Sequence, residues 1–257
     1  MDAPHCAPMT ALFFFPRRGH APCRQHGAAA IEFAVAGAIV LLLGLLSVEA
    51  ARWHTARQIA HLALTEAARA GATAHGDPVS IRAAFLQALL PLHADAQGPE
   101  GAMRRQALAM TEIAALTGSR PWRIEVLLPD EQSFREHSRP GLRVAVAPEL
   151  RAIDNDYQDL QHGRQPPRAG GQDIFQANTL KLRLTYLHKP LLPPLRALLA
   201  VLGRGDDSYM GTARSRGLLP IMVELESEMH THPVDWARRT PRADGVVHGE
   251  CRRVRCN

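Results

Sequence analysis

The stretch RQHGAAAIEFAVAGAIVLLLGLLSVE, residues 24–49, decides the fold of the N-terminal part of this chain. From Ala28 to Val48 it contains one charged residue, Glu32, and otherwise apolar or small residues. A helix that rises about 1.5 Å per residue makes this run about 32 Å long, enough to cross the ~30 Å hydrocarbon core of a bilayer. The sequence therefore predicts a transmembrane helix.

Three fates are open to such a segment. The first is a cleaved signal peptide, because Val48-Glu49-Ala50 fits the small-x-small rule before a cut at Ala51. The second is an uncleaved signal anchor. The third is a prepilin-type leader, which is cut on the cytoplasmic side so that the apolar helix stays in the protein. The apolar run is longer than a typical signal core and Glu32 interrupts it, which argues against the first fate.

Glu32 favours the third fate. A carboxylate within an apolar membrane segment is expensive, and such residues are usually functional. A cut between Gly27 and Ala28 would leave a new ammonium on Ala28, about one helical turn from the carboxylate. The attraction of the opposite charges, within one subunit or between neighbours, would offset much of the desolvation cost. The plain alternative is a carboxylate tolerated at the membrane edge.

These residues resemble a known family. The stretch HGAAAIEFA (residues 26–34), preceded by Arg24, resembles the class III leader of type IV pilins. More narrowly, it resembles the "RGAAAVEFA" pattern of the TadE-like pseudopilins of the tight-adherence (Flp pilus) system. RWHTARQ (52–58) and EAARAGA (66–72) are similar to the segment that follows the membrane helix in that family. A weaker similarity lies at TYLHKPL (185–191).

The resemblance implies a function and a location. It implies cleavage after Gly27 by a prepilin peptidase and a pseudopilin-like role in Flp pilus assembly, with other pilins and the Tad secretion machinery as partners. Glu32 would pair charges and Phe33 would pack between helices. The chain would reside in the bacterial inner membrane as a single-pass protein with a periplasmic head. We favour an N-terminus in the cytoplasm, because the leader must be reached from there. The basic residues before the helix support this orientation, whereas Arg52 and Arg57 after it oppose it. The alternatives are an uncleaved, anchored periplasmic binding or scaffold protein and a secreted enzyme released at Ala51.

Beyond the membrane the pattern predicts an α+β head with helices packed on a small antiparallel sheet. The helical period continues to about residue 72 with Gly71 as a cap, and Asp77 and Pro78 begin a second helix. We divide the chain into a cytoplasmic leader (1–27), a membrane helix (28–48, continuing to about 72), a head (77–236) and a polar tail (237–257). Further helices are predicted at 79–90, 101–116 and 195–202, strands at 122–128, 142–146, 179–187 and 221–225, and a long surface loop at 148–177.

Few residues point to chemistry. No nucleotide, zinc-protease or serine-hydrolase motif occurs, and the arginines form no stripe with aromatics, so we expect neither an enzyme nor a nucleic-acid binder, and no cofactor. The acidic cluster around Asp154, Asp156 and Asp159 departs from a calcium loop, and the C-terminal histidines and cysteines match no zinc module, so we expect no metal. Cys251 and Cys256 are a candidate disulfide, with free thiols as the alternative.

Overall fold

The computed structural model describes residues 28–164, 166, 171–239 and 243–256, and for Ala28 and Ala29 it describes the backbone alone. The predicted leader, residues 1–27, lies outside the described residues. The chain divides into two compact units, Met1–Gly44 and Leu45–Asn257. The second unit contains the head.

The order of elements confirms an α+β fold in which a long apolar helix is followed by a head of helices and a four-stranded sheet. Single turns of 3-10 helix lie at Leu90–His93 and Trp236–Arg238. Within the described residues the helices are α1 (Ala28–Thr73), α2 (Pro78–Ala88), α3 (Gly98–Thr117), α4 (Glu131–His137), α5 (Gln158–Arg164), α6 (Ile174–Ala177), α7 (Pro193–Leu202) and α8 (Tyr209–Ser215), and the strands are β1 (Trp122–Leu128), β2 (Thr179–His188), β3 (Leu219–Glu228) and β4 (Val246–His248).

The sheet has the strand order β3-β2-β1-β4. The three longer strands are antiparallel, with Tyr186 of β2 between Trp122 of β1 and Ile221 of β3. The short strand β4 runs parallel to β1 and pairs Val246 with Ile124. The expectation of a purely antiparallel sheet was therefore wrong for this edge strand, which comes from the stretch predicted to be a polar tail.

The second part of α1 is the centre of the main core. Apart from Leu64, its buried face is made of alanines, which let the helix backbone approach its neighbours closely. This face packs with the large apolar side chains of α2, β1 and β2, among them Phe85, Ile124 and Leu182. The helical period read from the sequence is confirmed here, and the buried residues of the face are Ala56, Ala60, Ala63, Leu64, Ala67, Ala68 and Ala72.

Helix α1 ends two residues later than the predicted cap. Gly71 lies inside the helix, and the reversal of the chain uses His75 and Gly76, both at positive φ (59° and 77°). A Cβ at Gly71 would lie 2.8 Å from Ile81 Cγ1 and 2.8 Å from Leu180 Cδ2. Glycine at residue 71 therefore serves the close packing of the core rather than the end of the helix.

Two predictions for the middle of the chain were wrong. Residues 142–146 form turns rather than a strand, with Val144 buried in a small cluster beside Trp236. The stretch 148–177 is not one surface loop, because it contains α5 and α6 and buries Ile153 and Ile174 against Phe134. Short apolar pairs in a polar stretch carry no period, so the sequence did not reveal them.

The C-terminal stretch covers the polar face of the sheet. The Arg123 side chain donates to the carbonyls of Cys251 and Val254, each over 2.8 Å. The backbone N–H of Cys251 donates to Glu125 Oε1 over 2.7 Å. Arg123 and Glu125, which alternate along β1 with the core residues Trp122, Ile124 and Val126, are thereby buried as well.

Candidate functional site in the N-terminal helix

The first part of α1 exposes nearly every side chain. The described residues contain one helix that is long and apolar enough to cross a membrane, and none of its most apolar window is buried in the protein. A soluble core helix of this composition would be covered by other elements. The exposed apolar surface therefore indicates a single membrane anchor.

The predicted assembly residues lie on this exposed surface. Phe33 is 79% exposed, and Glu32 beside it is exposed as well. Among the described residues no ion pair to Glu32 is seen. Ala28 is the first described residue of the helix, and Gly27 lies outside the described residues. Glu32 and Ala28 are thus four helical residues apart, and the roles of all four residues stay predictions.

Two glycines leave space along one side of the exposed helix. A Cβ added at Gly37 or at Gly44 would meet no atom within 4 Å. The two glycines are seven residues apart, close to two helical turns, so they lie on nearly the same face. In membranes, small residues on one face allow the backbones of two helices to approach closely.

Glu49 is a second carboxylate of α1 that sequence reasoning left without a role. It follows the apolar run directly and is 5% exposed. Its Oε2 accepts the backbone N–H of Leu191 over 2.9 Å and lies 3.9 Å from Arg52 Nη1. Its Oε1 lies 3.6 Å from His188 Nε2. The carboxylate therefore ties the end of the apolar run to the loop after β2.

The surroundings of His188 favour its neutral form. Burial, reinforced by the positive charge of Arg52, lowers the pKa of His188 below its ordinary value of 6.5, and the attraction of Glu49 offsets only part of this. A signal for this cluster was present in the sequence: an acidic residue at the end of an apolar run, and a histidine in the stretch TYLHKPL. Their proximity depends on the pairing of strands and was not visible.

The acidic cluster near Asp154 holds a turn of the backbone together. The structure brings Asp154, Asp156 and His232 together and leaves Asp159 exposed in α5. Asp154 pairs with Arg139 and accepts the N–H of Asp156. Although burial raises it, these two contacts hold the pKa of Asp154 below its ordinary value. The backbone N–H of Asn155 donates to His232 Nδ1 over 3.0 Å, so the cluster is bound by its own members.

The structure joins Cys251 and Cys256 in a disulfide, with their Cα atoms 6.1 Å apart. The bond closes the small loop whose carbonyls accept the hydrogen bonds of Arg123. Two of the residues considered as zinc ligands are therefore used in this bond.

Comparison with known proteins finds one family match, which covers most of the N-terminal helix. The model of the family described as TadE-like protein matches residues 27–69. No curated protein and no solved structure matches this chain. The matched residues begin at the predicted cleavage site and cover the apolar run and most of the alanine face that packs in the head. Residues 27–69 of this chain are thus a TadE-like segment, which indicates a role associated with Tad (Flp) pili, at a membrane and together with pilus assembly components.

Proposed function

We propose that this chain is a pseudopilin-like component of a Tad/Flp pilus assembly system. A prepilin peptidase cuts it between Gly27 and Ala28 on the cytoplasmic side of the bacterial inner membrane. The mature protein remains there by its helix, with the head in the periplasm. Its role is structural, and it acts through association of its membrane helix with pilins, other pseudopilins and the Tad machinery.

The observation that carries the proposal is the position of Glu32. It is an exposed carboxylate four residues after Ala28, in the exposed apolar part of α1 and within the segment that matches the TadE-like family. After cleavage the ammonium of Ala28 supplies a partner for this carboxylate, in the same subunit or in a neighbour. The open face at Gly37 and Gly44 supports close contact between helices.

The burial of Glu49 weighs against release at Ala51. A cut there would separate Glu49 from the head, where it accepts the N–H of Leu191 and contacts His188. It would also break α1 between the apolar run and the alanine face. A secreted enzyme freed at Ala51 therefore requires the loss of contacts that the head uses.

N-terminal sequencing of the protein extracted from membranes tests the cleavage. We expect the mature chain to begin at Ala28, and we expect Gly27→Ala, or a larger residue at this position, to block the cut. An N-terminus at Met1 would favour the uncleaved anchored scaffold, and one at Ala51 would favour the secreted enzyme. Either result overturns the proposal.

The variant Glu32→Ala distinguishes an effect on leader cleavage from an effect on pilus assembly. We expect the variant to be cut normally but to lose most pilus assembly, because the Ala28 ammonium then has no carboxylate in the apolar segment. Glu66→Ala is the matched control, since Glu66 is an exposed carboxylate of the same helix outside the apolar run. Pilus production in the two variants is compared by shear preparation and immunoblot. Equal assembly in both would contradict the role of Glu32.

A further inference from the structure

Helix α7 carries an apolar stripe that no other described element covers. Its spacing of three or four residues places the stripe on one side of the helix. The opposite side, with Leu199 and Gly203, is buried. The large residues of the stripe and of the turn before it are 53–65% exposed: Leu191, Leu198, Val201 and Leu202.

The beginning of α7 is fixed at the end of the membrane segment. Leu191, two residues before the helix, donates its backbone N–H to Glu49 Oε2 over 2.9 Å. Glu49 directly follows Val48, the last residue of the apolar run. Within the same unit, the last turn of that run exposes its own apolar side chains, with Leu45 at 52% and Val48 at 55%.

The far end of α7 is held at the same end of the head. A Cβ at Gly203 would lie 2.3 Å from the backbone nitrogen of Ser215, at the end of α8. After α8 the chain enters β3, whose first residue Leu219 pairs with His188. His188 in turn lies 3.6 Å from Glu49. Both ends of α7 are therefore tied to the residues around Glu49.

The charges around this helix fit a lipid surface better than a second apolar protein surface. Among the described residues near α7, the carboxylates are the buried Glu49 and the exposed Asp206 and Asp207. The basic side chains are more numerous and are partly or fully exposed: Arg52, Arg196, Arg204, Arg214 and Arg216. An apolar stripe flanked by arginines is the pattern of helices that lie in the interface of a membrane containing anionic lipid.

We propose that α7 lies in the membrane interface beside the point where α1 leaves the bilayer, with its stripe in the acyl region and the arginines at the lipid headgroups. The proposal rests on the membrane anchoring of α1, and it is independent of leader cleavage and of pilus assembly. It gives the head a fixed second contact with the bilayer, which limits its rotation about the single membrane helix.

Spin labels on the full chain test the contact. In a Cys6→Ser, Cys23→Ser background with the Cys251–Cys256 disulfide kept, Leu198→Cys carries the label in vesicles of phosphatidylcholine and phosphatidylglycerol. Val146→Cys is the matched control, because Val146 is 57% exposed against 55% for Leu198. Val146 shares a cavity with Ala74 and His75, at the other end of the head part of α1. Leu42→Cys reports the apolar run itself.

The readout is the ratio of label collisions with oxygen, which dissolves in lipid, to collisions with a water-soluble nickel chelate. We expect the ratio at Leu198 to be severalfold higher than at Val146 and to approach that at Leu42. Equal ratios at Leu198 and Val146 would show a helix in water and overturn the proposal. Low collision with both reagents at Leu198 would show a protein partner instead and overturn it too. A water-like ratio at Leu42 would remove the anchoring on which it rests.

Discussion

Two carboxylates of α1 have opposite surroundings. Glu32 is exposed within the apolar run, whereas Glu49 at the end of the run is buried and accepts a hydrogen bond from Leu191. A buried carboxylate is tolerated only where donors or cations face it. Glu49 finds them inside the head, and in our proposal Glu32 finds one only after the leader is removed.

His188 makes the stability of the head depend on pH. Its pKa in the folded protein lies below 6.5, mainly because of burial, so the unfolded chain binds a proton that the folded chain excludes. Its contribution to the free energy of unfolding is complete above pH 6.5. We expect it to be lost as the pH falls below 6.5, by at most about 1.4 kcal/mol per pH unit.

Chemical unfolding of the detergent-solubilised protein between pH 7.5 and pH 5 measures this loss. His188→Gln should flatten the dependence on pH, since glutamine takes up no proton. His61→Gln is the control at an exposed histidine of α1 and should keep the wild-type slope. A His188→Gln slope equal to that of the wild type would refute the assignment.

At the scale of elements, the core of the head is built on the contact between α1 and the sheet. The alanine face of α1 lies close to the sheet, and the larger residues come from the strands and from α2. Such a contact has little spare volume, because protein interiors are close-packed. Gly71 is a tight point of this contact, where a side chain would meet Ile81 and Leu180.

Gly71→Ala tests this packing. The substitution gains about 1 kcal/mol of helix propensity but overpacks the core at a cost of about 1–3 kcal/mol. We expect a net loss of up to about 2 kcal/mol in the free energy of unfolding, measured by denaturant titration in detergent. Gly163→Ala is the matched control, because Gly163 is also helical and a Cβ there would meet no atom within 4 Å. If the two variants had the same stability, the tight contact would be disproved.

At the scale of the whole molecule, the last residues of the chain close over the sheet near its middle strands. The loop of Cys251–Cys256 supplies the carbonyl partners of Arg123, which also stacks 4.0 Å from the centre of the Tyr209 ring. A buried guanidinium without these partners would lose strong hydrogen bonds to a charged group. Residues 246–254, which lie in the predicted polar tail, therefore pack on strand β1, while the division into leader, membrane helix and head remains a prediction.

Opening this loop should weaken the head. We expect Cys251→Ser with Cys256→Ser to lower the free energy of unfolding by about 2 kcal/mol, the loop-closure entropy of so short a ring. Thermal unfolding with and without a reductant measures the effect. The reductant should lower the melting temperature of the wild type and leave the double variant unchanged. Identical melting of the wild type in both conditions would contradict a stabilising disulfide.

The sequence by itself determined the local features. The apolar run, its single carboxylate and the alanine period of α1 depend on neighbours along the chain, and helix α1 and strand β2 formed where they were predicted. Asp77 likewise caps α2, since its carboxylate accepts the N–H groups of Val79 and Ser80. These signals have a fixed period or a fixed spacing, which the backbone geometry of helices and strands imposes.

Only the tertiary structure decided which distant residues meet. Strand β4 has three residues and no period, and it forms because the edge of β1 offers unpaired backbone groups. Glu49 meets His188 because β2 ends beside α1, and Gly71 is needed because Leu180 lies against it. Such contacts depend on the packing of elements far apart in sequence, so no local pattern of residues records them.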